Sequence, residues 1–212
     1  MAIAHSALFV VLLQQAVGFI GLFTFANFFE WVLHKHLMHS LRWPYPFHAH
    51  ALVHHGLFRA DSTYHLRDKK DAAKVTFAWW NAPGLLLLHL PIIFGLQYLL
   101  GWSILWSGLT ALACYYALYE YLHWCMHVPA DRWLEKTRVF QWIKEHHRLH
   151  HAYSLRNLNV FFPLADWVLG SLISQPSAKV EQRVQTTQPT VAEIKVDVTP
   201  TTRLSDQQQP NA

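Results

Sequence analysis

The chain has 212 residues and a formal net charge of +4; 52% of its residues are apolar, 15% aromatic and only 14% charged, against roughly 25% charged in soluble domains. That length suits one domain, and the long runs without charge exclude an ordinary soluble protein and predict an integral membrane chain. The two cysteines, Cys114 in an apolar run and Cys125 between two histidines, give neither a disulfide framework nor a cysteine-based zinc site.

The first apolar run, 7–33, is long enough to cross a bilayer at about 1.5 Å per residue. No Lys or Arg precedes it, so it lacks the basic start of a secretory signal peptide and is expected to be a retained helix. Glu30 lies near its end, one turn before His34. Residues 35–74 are polar, with seven Lys or Arg. Pro44 and Pro46 break any helix there, so 40–48 is expected to be a turn, and 68–74 a charged segment at the membrane surface.

Residues 75–122 hold no Lys or Arg and are too long for one crossing. Gly101 divides them into two expected helices, roughly 76–100 and 102–122, with Pro83 and Pro91 bending the first or delaying its start. All seventeen Lys and Arg lie in 35–74, 123–156 or after 178. The excess of basic residues on cytoplasmic segments then predicts about three crossings, an outside N-terminus and every His cluster on the cytoplasmic side. The apolar segment 158–173 contains Asn159, Pro163 and Asp166 and is expected to lie at the interface. Residues 1–174 are read as one membrane-embedded domain. Residues 175–212, rich in Gln, Thr, Pro, Val and Ser, are read as a disordered tail. The fold class is therefore all-α: a membrane helical bundle with interfacial helices and a cytosol-facing cap of histidines.

Sixteen histidines are the anomaly. They are interrupted and spread along the chain, which excludes a purification tag, and such enrichment points to metal or proton chemistry. Most fall in four stretches: His34 and His39; His50, His54 and His55; His123 and His127; His147, His150 and His151. On a helix, His123 and His127 share a face. His147 with His150 or His151 makes a second such pair, and a neighbour turned about 100° away reaches toward a second ion. His34 and His39, five apart, predict a local distortion of the helix. His5, His36, His48, His65 and His89 stand apart and are read as polar anchors. Imidazole suits Zn, Cu, Fe or Ni, and ten clustered histidines are too many for one ion, so ligand counting favours a dinuclear centre.

The stretches Glu30-Trp-Val-Leu-His34-Lys-His-Leu-Met-His39, His50-Ala-Leu-Val-His54-His55, Glu120-Tyr-Leu-His123-Trp-Cys-Met-His127 and His147-Arg-Leu-His150-His151 together resemble the fatty acid hydroxylase superfamily. That superfamily includes sterol desaturases and fatty acid 2-hydroxylases. The stretch from Asn157 through Pro163 and Asp166 to Gly170-Ser171 resembles the segment that closes its catalytic domain, so the likeness covers about 25–171. The resemblance implies a cytosol-facing centre of two Fe ions, replaceable by Zn in a purified sample, held by the ten clustered histidines. With O2 as co-substrate it would hydroxylate a lipid C–H bond. The second stretch has three residues between His50 and His54 where many members have two. His48 therefore stands as an alternative to His50, and His146 as an alternative to His147.

Glu30 and Glu120 are candidates to orient a ligand imidazole, or are interfacial carboxylates in contact with water. Asn157 and Asp166 are candidates to brace the closing segment, or are ordinary turn residues. Electrons are expected from an outside donor, a ferredoxin or a cytochrome b5-like protein, because the chain carries no flavin, haem or iron–sulfur motif. The other expected partners are the lipid substrate and the bilayer; no nucleic-acid partner is expected. A carotenoid ring hydroxylase or a lipid desaturase would use the same centre, and a haem-binding or metal-binding membrane protein is the reading from another class. Fatty acyl chain, sterol, hopanoid and carotenoid are not distinguished by the sequence.

Overall fold

The computed structural model describes residues 2–175, with side chains described from His5 onward, and the segment read above as a tail lies outside the described residues apart from Gln175. The described chain is helical, with no strand in it. Helix α1, Ala2–Leu33, is 32 residues long, about 48 Å at 1.5 Å per residue. Its outer face is left bare: Leu8, Phe9, Leu12 and Ile20 are all exposed. The helix containing His5–Met38 and the one at Asn81–Leu100 are long and apolar enough to cross a membrane.

The polar segment after α1 is more helical than the prolines led us to expect. A short helix, α2, runs over Pro44–Phe47 with Pro44 in its first turn. Proline is tolerated there because that N–H has no partner within the helix anyway. The chain continues through His48–His54 into α3, His55–Leu57. Lys69–Lys74 forms a 3₁₀ turn whose start is capped by Asp68, which accepts from Lys70 N at 3.0 Å.

The next helix, α4, starts at Asn81 and ends at Leu100, five residues later than 76, as Pro83 in its first turn allows. Gly101 ends it with φ +66, a left-handed conformation that costs glycine nothing. The Gln97 side chain then accepts from Leu105 N at 2.8 Å and caps the following helix, α5, Leu105–His127. At the other side of this turn Gln15 of α1 donates to Ser103 O at 2.5 Å. Gly18 permits the close approach of α1 and α5, since a Cβ there would fall 2.9 Å from both Ile104 Cγ2 and Ser107 Oγ. Leu22, Ala26, Ile93, Ile104, Ala111, Leu112 and Tyr115 form the core between these three helices.

Helix α6, Arg138–Ala152, is capped by Thr137, which accepts from Phe140 N at 3.2 Å. Its apolar side meets α5 and the loop before α4 through Phe140, Ile143, Met126 and Tyr64. The chain then folds back through turns and bends and enters α7, Leu164–Val168. This return is fixed by polar groups. Asp166 accepts from Leu158 N and Asn159 N, both at 2.8 Å, and from Ser171 Oγ at 2.6 Å. Asn157, at φ +52, donates to His146 O and Ile173 O, each at 3.0 Å, and accepts from Ile173 N at 2.7 Å. Asn27 of α1 bonds Tyr115, Phe162 and Ala165 N.

Candidate metal centre

Two rare turns place the first two His stretches. His34–Met38 and His48–His54 are π-helical, a wide turn closed by bonds five residues apart and often found at functional sites. His39 N donates to His34 O at 3.1 Å, and His55 N donates to His50 O. Residues five apart are thereby brought to one side. The rings of His34 and His39 stack with centroids 5.1 Å apart, and those of His50 and His55 lie 4.8 Å apart. The distortion expected from the spacing of His34 and His39 is this π turn, and the second stretch repeats it.

The ten clustered histidines fall into two groups of five. His34, His39, His50, His55 and His150 form one; His54, His123, His127, His147 and His151 form the other, and within each group one nitrogen per ring lies within 4.8 Å of the rest. Sequence neighbours part company: His54 and His55 go to different groups, as do His150 and His151. This is the 100° step between adjacent helical residues. On α6, His147 and His151 keep the four-residue spacing within one group. His48 is exposed and belongs to neither group. His146 is buried but turns to Asn159 O at 2.9 Å, with Asp166 3.4 Å away.

The hydrogen bonds behind the rings set their tautomers. A carbonyl only accepts, so a ring nitrogen facing one must carry the proton. His54 Nδ1 donates to Lys74 O at 3.0 Å, His127 Nδ1 to Tyr64 O at 2.8 Å, His150 Nδ1 to Arg156 O at 2.9 Å, and His34 Nδ1 to Leu158 O. Each neutral ring then presents a bare Nε2 lone pair to its group. In the first group, His34 and His50 Nε2 lie 2.8 Å apart, His55 and His150 Nε2 3.1 Å, and His39 and His150 Nε2 3.2 Å. In the second, His127 and His147 Nε2 are 3.2 Å apart and His147 and His151 Nε2 3.0 Å. One proton per ring cannot satisfy so many converging nitrogens. His54 Nε2 and both nitrogens of His123 are buried without any hydrogen-bond partner.

A cation at each centre resolves this, since bare imidazole nitrogens are metal ligands and the carbonyls behind them are the usual outer partners of such ligands. Burial favours the same state. Desolvation lowers the pKa of His39 and His54 to about 4. His50, His55, His147, His150 and His151 are also pushed well below 6.5, first by burial and then by neighbouring imidazoles. The rings are therefore neutral near pH 7, the form that binds metal. The two groups can each hold a metal ion, and the all-imidazole set fits Fe, Zn, Cu or Ni.

The carboxylates stand further back. Glu30 accepts from Val160 N at 2.7 Å, from Asn159 Nδ2 at 3.1 Å and from the Tyr115 hydroxyl. It ties α1 and α5 to the closing segment, whose Leu158 carbonyl holds His34. Glu120 accepts from Phe77 N at 3.2 Å and fixes the chain just before α4. Asp166 and Asn157 act on the closing segment as described above. None of the four is hydrogen-bonded to any of the ten clustered histidines.

Above the first group lies an apolar cavity of about 180 Å³ between α1, α4 and α5. Ala26, Phe29, Leu33, Leu86, Leu112 and Tyr119 line it, together with His34 and Met38. His89 also borders it and is only 3% exposed. The sequence alone offers it as a polar anchor, because an isolated histidine in an apolar run carries no signal of a cavity beside it. Comparison of the chain with protein-family models, with curated proteins and with solved structures returns no match in any of the three.

Proposed function

We propose that this chain is a membrane di-iron oxygenase of the fatty acid hydroxylase type, which hydroxylates a C–H bond of an apolar lipid. The observation that carries the reading is the contact between an apolar cavity and one of two five-imidazole groups: His34 belongs to both. Bound iron would supply the activation of O2 and the cleavage of the C–H bond. The residues of the chain do the rest. The ten imidazoles hold the centre, and the backbone carbonyls of Tyr64, Lys74, Leu158 and Arg156 keep four of them in the right tautomer. Phe29, Leu33, Leu86 and Leu112 bind the lipid and exclude water. Electrons come from a separate protein, a ferredoxin or a cytochrome b5-like donor, docked on the basic face that surrounds the histidines.

On this reading α1, α4 and α5 cross the bilayer and the histidines lie at its cytoplasmic edge. The exposed apolar face of α1 and the absence of Lys and Arg from both 1–34 and 75–122 support that placement. The test is metal analysis of protein purified after iron loading, together with lipid mass spectrometry of cells with and without the chain. Two metal ions per chain and a lipid heavier by one oxygen are expected. One ion or fewer would overturn the dinuclear centre. A lipid lighter by two hydrogens would make the enzyme a desaturase. A Soret band in the optical spectrum would replace the reading with a haem protein.

A further inference from the structure

His89 sits eight residues into α4, about 12 Å along that helix. Its Nδ1 lies 2.6 Å from Leu85 O, the carbonyl one turn earlier. That carbonyl can only accept, so Nδ1 carries the proton and Nε2 of the neutral ring is a bare acceptor. Nε2 is buried and has no partner. The ring's other close contacts are aromatic: Phe29 at 4.5 Å and Phe25 at 5.6 Å between centroids, both edge-on. A buried acceptor without a donor costs free energy and calls for an explanation.

Water is a poor one. A buried water needs two to four polar partners, and few polar groups line the cavity beside His89: Glu30 accepts from Val160, Asn159 and Tyr115, the Tyr115 hydroxyl also accepts from Asn27, and Tyr116 is bonded to Glu120, which leaves the Tyr119 hydroxyl. A metal is no better, because His89 belongs to neither group of converging histidines. What remains is a donor brought in by the molecule that fills the cavity. At about 180 Å³ the space exceeds the roughly 150 Å³ of a dry cavity that takes up benzene.

We propose that His89 is a recognition site for a hydroxyl group on the lipid, donated to Nε2 at the membrane-interior end of the cavity. The inference rests on the lipid-oxidation reading for the direction of the cavity, with His34 at its far end. His34 lies five residues beyond Phe29 and nine beyond Phe25, roughly 8 to 14 Å along α1. The lipid thus carries its hydroxyl about that distance from the carbon nearest the histidine cluster. The substrate class is an already hydroxylated apolar lipid rather than a plain hydrocarbon, and a fatty acyl chain with no second polar group is disfavoured.

The test is binding, which requires neither iron nor turnover. Metal-free protein in detergent is titrated with a matched pair, 4-hexylcyclohexanol and hexylcyclohexane. Affinity is read from the rise in Tm after correction for partition into the micelle. The alcohol is expected to bind roughly tenfold more tightly than the alkane, the value of one net hydrogen bond. His89→Phe should erase that preference while leaving alkane binding in place, and His89→Gln, which keeps an acceptor, should retain part of it. Should His89→Phe fail to fold, ¹⁵N NMR of the unaltered protein gives the same answer, because the His89 Nε2 signal shifts with the alcohol and not with the alkane. Equal binding of the two probes, or a preference that survives in His89→Phe, overturns the proposal. If the preference is present but no oxidised lipid forms, the oxygenase reading fails alone; if oxidised lipid forms while the probes bind alike, this inference fails alone.

Discussion

A neutral imidazole carries one proton, and the position of that proton decides whether the ring can bind a metal. Backbone carbonyls take it from His34, His54, His127 and His150, leaving Nε2 bare. Replacing a buried member removes a nitrogen that no neighbour can replace without moving backbone. His127→Ala and His150→Ala are each expected to lower metal content, measured on matched preparations. On the proposed function, they should also cut hydroxylation by more than the roughly 10- to 100-fold typical of losing an outer partner. His50→Ala should behave like them and His48→Ala like the unaltered chain, because His50 lies in a five-membered group and His48 is exposed. Protons compete for the same nitrogens. His39 and His54 titrate at about 4 in the folded chain against 6.5 when exposed. The unfolded chain therefore takes up protons that the fold refuses. Stability from these groups is complete above about pH 6.5 and is lost as pH falls toward 4. The Tm of metal-free protein should drop across that window, and a flat profile would contradict the burial of these rings.

Among the elements, the closing segment bears more of the site than its length suggests. Asp166 holds Leu158 N, Asn159 N and Ser171 Oγ, and Leu158 O in turn holds His34. Asp166→Ala strands these donors, at about 1–3 kcal/mol each. A loss of roughly 3 kcal/mol or more is expected from thermal unfolding, with weakened metal retention that would be absent if the segment were only a lid. This role is partly legible in the sequence: the interrupted apolar stretch from Asn157 to Ser171 stands out, and Asp166 is a candidate brace there, with an ordinary turn residue as the alternative. The partition of the histidines was legible in part too, since the 100° step separates His54 from His55 and His150 from His151. The sequence did not say which stretch meets which. That depends on how α1, α5 and α6 dock, and docking is set by contacts such as Gly18 against Ile104 that no local pattern reports. The part played by Glu30 was hidden for the same reason: its partners, Tyr115, Asn159 and Val160, lie 85 or more positions away.

At the scale of the molecule, apolar and histidine-bearing parts are segregated. The hairpin turn at Gly101 lies at the far end of α4 and α5 from His123 and His127. A reporter fused at Gly101 is expected on the non-cytoplasmic face, and reporters after Lys70 and Ser174 on the cytoplasmic face. All three on one side would sink the three-crossing arrangement.

Each five-histidine group draws on both ends of the described chain: His34 and His150 belong to one, and His54, His147 and His151 to the other. During synthesis, therefore, neither group exists in full until α6 has emerged from the ribosome. A nascent chain ending at Thr137 holds four members of the first group and three of the second, and it still lacks the Arg156 and Leu158 carbonyls that orient His150 and His34. On the proposed function, insertion into the membrane would come first and metal capture last, so the order of assembly would be written into the order of the residues.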